Sequence, residues 1–157
     1  MNSKKTNQPN LLYTMVKLDV YTSKYIAEYS LPEVDYCFKV LANELINRIK
    51  ISPSKQFYSF NHYDTDYMYH ILKSSEETPF FLCLTTKTDP RRVEKFLRVV
   101  ERTYLSLMVL NKERFEKFIK EQMGAFEQER LSSLDKNQLV DEEMIELTEI
   151  DIENTRN

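Results

Sequence analysis

A single glycine, Gly124, is all the glycine in these 157 residues. Loops that cradle phosphate need several glycines where the backbone closes on the ligand, so nucleotide enzymes built on such loops are excluded. Histidine is almost as scarce. His62 and His70 are the only two, and neither has a His or Cys neighbour at ligand spacing, so His70 reads as a half-buried strand residue and His62 as a loop residue. The two cysteines, Cys37 in a helical pattern and Cys83 in a strand pattern, offer no metal spacing and read as buried thiols. Long apolar runs are missing too: the uncharged, strongly apolar stretch Thr78 to Thr86 contains Pro79 and is far shorter than the ~20 residues that span a bilayer. No charge of one sign dominates, with 22 basic residues against 25 acidic and a net charge of −3, which disfavours nucleic acid as a partner. The opening MNSKKTNQPN has no apolar stretch of the signal-peptide kind, so a cytosolic setting is expected.

Hydrophobic periodicity is plentiful. Residues 1–10 read as a disordered lead-in, and "LLYTMVKLDV" then ends in alternation of Val16, Leu18 and Val20 against Lys17 and Asp19, a half-buried strand. A second short strand fits Tyr25 to Tyr29. Ser30 with Glu33 makes a capping-box pattern, and Val34, Cys37, Phe38, Leu41, Leu45 and Ile49 mark one face of a helix that "ISPS" ends. "KQFYSF" is a short strand, "DYMYHIL" alternates, and "FFLCLTT", apolar on both faces, predicts a central strand. Asp89 is placed to cap a helix with Pro90 at its first position and Val93, Phe96, Leu97, Val100 and Tyr104 on one face. A last helix follows from about residue 112 to 131, with Phe115, Phe118, Ile119, Met123 and Phe126 on its stripe. The order strand, strand, helix, three strands, helix, helix predicts an α+β domain over residues 11–131, an antiparallel sheet layered by helices on both faces. Residues 132–157 read as an acidic linker running into a nascent helix.

The element order, the strand "YMYHIL", the strand "FFLCLTT" and the helix opening "DPRRVEKFL" together resemble the longin domain of the long vesicle-associated membrane proteins, R-type SNAREs with an N-terminal regulatory domain. The likeness covers roughly residues 11–131. Pro90, Arg91, Arg92, Val93, Phe96 and Leu97 match the family's helix opening, whereas Glu94 and Lys95 stand where it has Ala-Phe. The resemblance implies a longin, profilin-like fold: a five-stranded antiparallel sheet with one helix on one face and two on the other. It also implies a binding protein and not an enzyme, with no cofactor, that works in vesicle-mediated transport at the cytosolic face of endomembranes. Its partners would be other SNARE proteins or trafficking adaptors. A longin-like scaffold subunit of a cytosolic tethering or coat complex is the alternative.

By the same resemblance the surface between the first helix and the following strand captures partners, and Tyr36, Val40, Phe57, Tyr58 and Phe60 are expected to line that groove. The tail "MIELTEIDIENTRN" resembles the start of a SNARE motif, with Met144, Leu147, Ile150 and Asn154 as coiled-coil layers, although Asp151 falls where an apolar layer is preferred. The central arginine layer would lie about seven residues past Asn154, so the chain is expected to be a piece of a longer anchored protein or a longin without the fusogenic part. Arg91 and Arg92 face the positive end of their helix macrodipole, which costs ~0.3–1 kcal/mol each when exposed. Either Glu94, Glu101 or another nearby carboxylate compensates them, or they form a basic spot that meets the acidic stretch Asp141 to Glu153 in an intramolecular fold-back.

Overall fold

The computed structural model describes residues 10–19, 26–62, 65–107, 112–129 and 131–132. Over these the chain is α+β. Five strands, β1 (Leu11–Lys17), β2 (Ala27–Ser30), β3 (Phe57–Asn61), β4 (Tyr67–Leu72) and β5 (Phe80–Thr86), form one antiparallel sheet in the order β2-β1-β5-β4-β3. Three helices accompany it: α1 (Tyr36–Arg48), α2 (Pro90–Leu107) and α3 (residues 112–129). Among the described residues no helix is long and apolar enough to cross a membrane.

β5 occupies the middle of the sheet, as its unbroken apolar run predicts. Alternation along it separates two cores. Phe81 and Cys83 join Val93, Phe96, Leu97, Val100 and Tyr104 of α2 and Phe115, Ile119, Met123 and Phe126 of α3. Phe80, Leu82 and Leu84 join Ala42 and Ile46 of α1, with Tyr58, Tyr69 and Ile71 from the neighbouring strands. Successive side chains of a strand point to opposite faces, so α1 covers one face of the sheet and α2 with α3 the other.

β1 departs from the half-buried strand expected. All seven of its residues are buried, because it lies between β2 and β5 with helices over both faces, while Leu18, expected to face the core, is 48% exposed just past its end. A register shift between Leu11 and Tyr13 places Leu12 and Tyr13, neighbours in sequence, in the same core. Lys17 ends the strand 3% exposed, its Nζ donating to Asn43 Oδ1 on α1 at 2.9 Å.

The second strand is also displaced from its expected place, and the displacement moves the start of α1. Ser30 pairs with Tyr13 as the last residue of β2, so it is not available as a helix cap. Asp35 caps α1 instead, its Oδ1 accepting from Cys37 N at 3.2 Å. The later start turns Ala42 and Ile46 inward, with Phe38, Leu41 and Leu45 packed beside them, and leaves Cys37 exposed, contrary to the buried thiol expected. Cys83 is buried, and burial holds its thiol well above the usual range.

Carboxylates of α3 tie that helix to the β1–β2 side of the sheet. Glu127 Oε1 accepts from the backbone N of Asn10 and Leu11 at 2.6 and 3.0 Å, and Glu116 Oε2 accepts from the backbone N of Glu28 at 2.9 Å. On the opposite side Arg98 of α2 spans the ends of two strands. Its Nη2 donates to Gln56 Oε1 and Glu94 Oε2, both at 3.0 Å, and its Nη1 to Ser74 Oγ at 3.2 Å.

Candidate binding surface

The first turns of α1 and the β3–β4 hairpin meet at a rim of aromatic side chains. Alternation along β4 sends Tyr67 and Tyr69 to the α1 face, where the Phe38 ring lies 4.9 Å from that of Tyr67 and 5.4 Å from His62. Tyr69 donates its hydroxyl hydrogen to the Phe38 carbonyl oxygen at 3.0 Å, and burial raises the pKa of that phenol. Phe60 packs into the same core. Tyr67 and His62 are not among the groove residues expected from sequence, although the same-face spacing of Tyr67 and Tyr69 carries the signal.

Of the five expected groove residues, the structure brings four to this layer. Tyr36 and Val40, one helical turn apart, are 75% and 40% exposed and form the outward flank of α1. Tyr58 and Phe60 are on the same face of the sheet as α1, but Tyr58 is only 6% exposed and its hydroxyl is committed locally, donating to the Lys55 carbonyl at 2.8 Å and accepting from Ser52 N at 3.0 Å. It is a wall and not a contact surface. Phe57 does not belong to the groove: it precedes Tyr58 on an extended strand, points to the other face and packs with the α2–α3 core. The accessible apolar surface of α1 is therefore Tyr36 and Val40, on the side of the helix turned away from Phe38 and the sheet, and Phe38, Phe60 and Tyr67 are half-buried on the other side.

His70 is more deeply enclosed than the half-buried residue expected. It is fully buried, with Nδ1 2.7 Å from Ser59 Oγ and Nε2 2.9 Å from Thr85 Oγ1, so three adjacent strands are linked through one ring. Phe57 stacks on that ring at 6.0 Å between centroids and 12° between planes. Desolvation drives the imidazole pKa down to about 3, and the ring is neutral at physiological pH. Among the described residues no group of three or more His, Cys, Asp or Glu side chains is placed to hold a metal ion.

Arg91 and Arg92 are accommodated by two different devices. Asp89 caps α2 with Oδ1 accepting from Arg91 N at 3.1 Å, and the same oxygen pairs with Arg91 Nε at 3.1 Å, so the capping anion lies against both the helix N-terminus and the guanidinium. Arg92 places its guanidinium carbon 4.6 Å from the centre of the Phe126 ring. Glu94 is paired with Arg98. Compensation comes from the cap and from a ring on α3. Asp89→Ala removes the cap and the partner of Arg91 together, and is expected to lower stability by about 1–2 kcal/mol, read as a shift in urea midpoint at unchanged m. The expected coiled-coil layers Met144, Leu147, Ile150 and Asn154, and the acidic stretch Asp141 to Glu153, lie outside the described residues.

Comparison of the chain with protein-family models and with curated proteins gives no match.

Proposed function

We propose that this chain is a longin-type regulatory domain of the R-SNARE kind, acting in vesicle-mediated transport and membrane fusion by binding SNARE motifs or trafficking adaptors. The reading is supported by the helix opening Asp89 to Leu97 and the aromatic strand Tyr67 to Leu72 on a sheet with one helix over one face and two over the other. The observation that carries the binding role is the exposure of Tyr36 and Val40, one turn apart on the outward side of α1. Folding leaves these two side chains in water, so covering them is a gain reserved for a partner. Full burial of one such side chain contributes about 1.5–3 kcal/mol, and an apolar strip one turn apart is what a face of an amphipathic SNARE helix would cover. The site would act at the cytosolic face of endomembranes.

Titration calorimetry of the full chain with a complete SNARE-motif peptide tests this reading. Tyr36→Ala with Val40→Asp is expected to weaken binding at least about tenfold while leaving the thermal midpoint close to wild type, because both side chains are solvent-exposed in the free protein. Equal affinity of wild type and variant, or no binding by the wild type, would count against it.

A further inference from the structure

α2 carries the cations Arg91, Arg92, Lys95, Arg98 and Arg102 against only two acids, Glu94 and Glu101, in a chain whose net charge is −3. Their spacing sorts them. Arg91, Lys95, Arg98 and Arg102 stand at i, i+4, i+7 and i+11, which confines them to about 60° of the helix circumference over a length of about 16 Å. Val93, Phe96, Leu97, Val100 and Tyr104 occupy the opposite side of the helix and belong to the core, so the row of cations points away from the sheet. Leu105, three residues past Arg102, continues the row and is 62% exposed.

The row is not neutralised in place. Arg91 is paired with Asp89 and Arg98 with Glu94, but Lys95 and Arg102 are exposed and have no side-chain partner among the described residues. Glu101 does not answer them: it is half-buried, and its Oε2 is enclosed. Helix stability does not call for this arrangement. Arg91 with Lys95, and Arg98 with Arg102, are like charges four residues apart, a spacing that destabilises a helix.

We propose that the outward row of α2 docks the domain on an anionic lipid surface. Two features select a membrane over an acidic protein. The row is straight and lies on the convex outer side of a helix, a shape that meets a plane of headgroups without a complementary pocket. It also ends in Leu105, and a lipid surface offers anions in one plane with apolar chains directly beneath, so one contact serves the cations and the leucine together. Because the chain as a whole is negative, attraction depends on orientation, and this side is the one drawn in. Docked in this way the domain turns its α1 face away from the membrane, since α1 lies on the other side of the sheet. Tyr36 and Val40 then stay open to a partner, and the two surfaces act independently.

Co-sedimentation of the full chain with phosphatidylcholine vesicles, with and without about one third phosphatidylserine, tests the docking. Binding to the anionic vesicles is expected at low salt, with loss at high salt and none to phosphatidylcholine alone. Each Lys or Arg held at an anionic surface strengthens partitioning about fivefold, so Lys95→Glu with Arg102→Glu should weaken it at least about tenfold. Both side chains are exposed, and far-UV circular dichroism verifies that the variant is folded. Arg48→Glu with Lys50→Glu makes the same change in net charge at exposed positions by the end of α1, and should weaken binding far less. Tyr36→Ala with Val40→Asp should bind vesicles as the wild type does, which separates this inference from the reading of the α1 surface. A wild type that ignores the anionic vesicles, even one that takes polyglutamate instead, would overturn the proposal, as would equal weakening by the α2 and α1 charge pairs.

Discussion

Truncation of Phe96 to alanine is expected to lower stability by about 3–5 kcal/mol, the range for emptying a buried aromatic site. Phe96 is 6% exposed on α2, and its ring meets that of Phe126 on α3 edge-on, with centroids 5.9 Å apart and planes at 75°. The loss therefore loosens the contact between two helices as well as the contact of α2 with the sheet. Leu105→Ala on the same helix is the control: that side chain is 62% exposed, and its removal should shift stability by no more than about 0.5 kcal/mol. Urea midpoints at constant m separate the two cases, and a Phe96→Ala midpoint as small in its shift as that of Leu105→Ala would remove Phe96 from the core.

Acid should destabilise the fold through His70 before the buried hydroxyl network around it has changed. The imidazole titrates at about 3 in the folded protein against its ordinary 6.5, because burial penalises the charged ring. Above pH 6.5 neither the folded nor the unfolded form is protonated there and His70 makes no difference. Below it the unfolded chain takes up a proton that the native one does not, so stability falls by about 1.4 kcal/mol per pH unit and levels off near the folded value. The accumulated loss is roughly 3–5 kcal/mol. Urea midpoints from pH 7 to pH 4, with His70→Gln as the comparison, isolate this contribution: the wild-type slope over that window should exceed the slope of the variant. Parallel slopes would mean that the ring gains a proton as readily folded as unfolded.

The sheet and its helices were legible because their signals are periodic. "FFLCLTT" could be placed at the centre from its unbroken apolar run, and the α2 stripe from Val93 to Tyr104 packs as its spacing indicates. What was not legible depended on partners far along the chain. The alternation at Val16 to Val20 suggests one wet face, yet β1 is covered on both sides because α1 and α3 are delivered there from later sequence. Ser30 and Glu33 satisfy a local capping pattern, but pairing of Ser30 with Tyr13 takes precedence over it. His70 looked half-buried because its strand alternates polar and apolar residues, and the hydroxyls of Ser59 and Thr85 that make its burial affordable sit on two other strands. In the candidate surface, Tyr36 and Val40 could be found as residues off the α1 stripe. Phe57 could not share that face with Tyr58, since adjacent residues of a strand without a register shift point to opposite faces.

The role of Arg91 was half-visible. A carboxylate partner was expected, and the one that serves is the cap residue two positions before it, which sequence reasoning had assigned only to the backbone. Arg92 resting on Phe126 needed the antiparallel packing of α2 and α3, which no local pattern contains.

The central claim is that the outward flank of α1 and its aromatic rim receive a SNARE motif or adaptor. Amide chemical-shift mapping of the isotope-labelled full chain during titration with a complete SNARE-motif peptide addresses it most directly. The expected result is a set of perturbations centred on Tyr36, Cys37, Val40, Phe60 and Tyr67, with the buried residues of α2 and α3 unmoved. No perturbation around Tyr36 and Val40, or changes confined to the α2–α3 face, would contradict the claim.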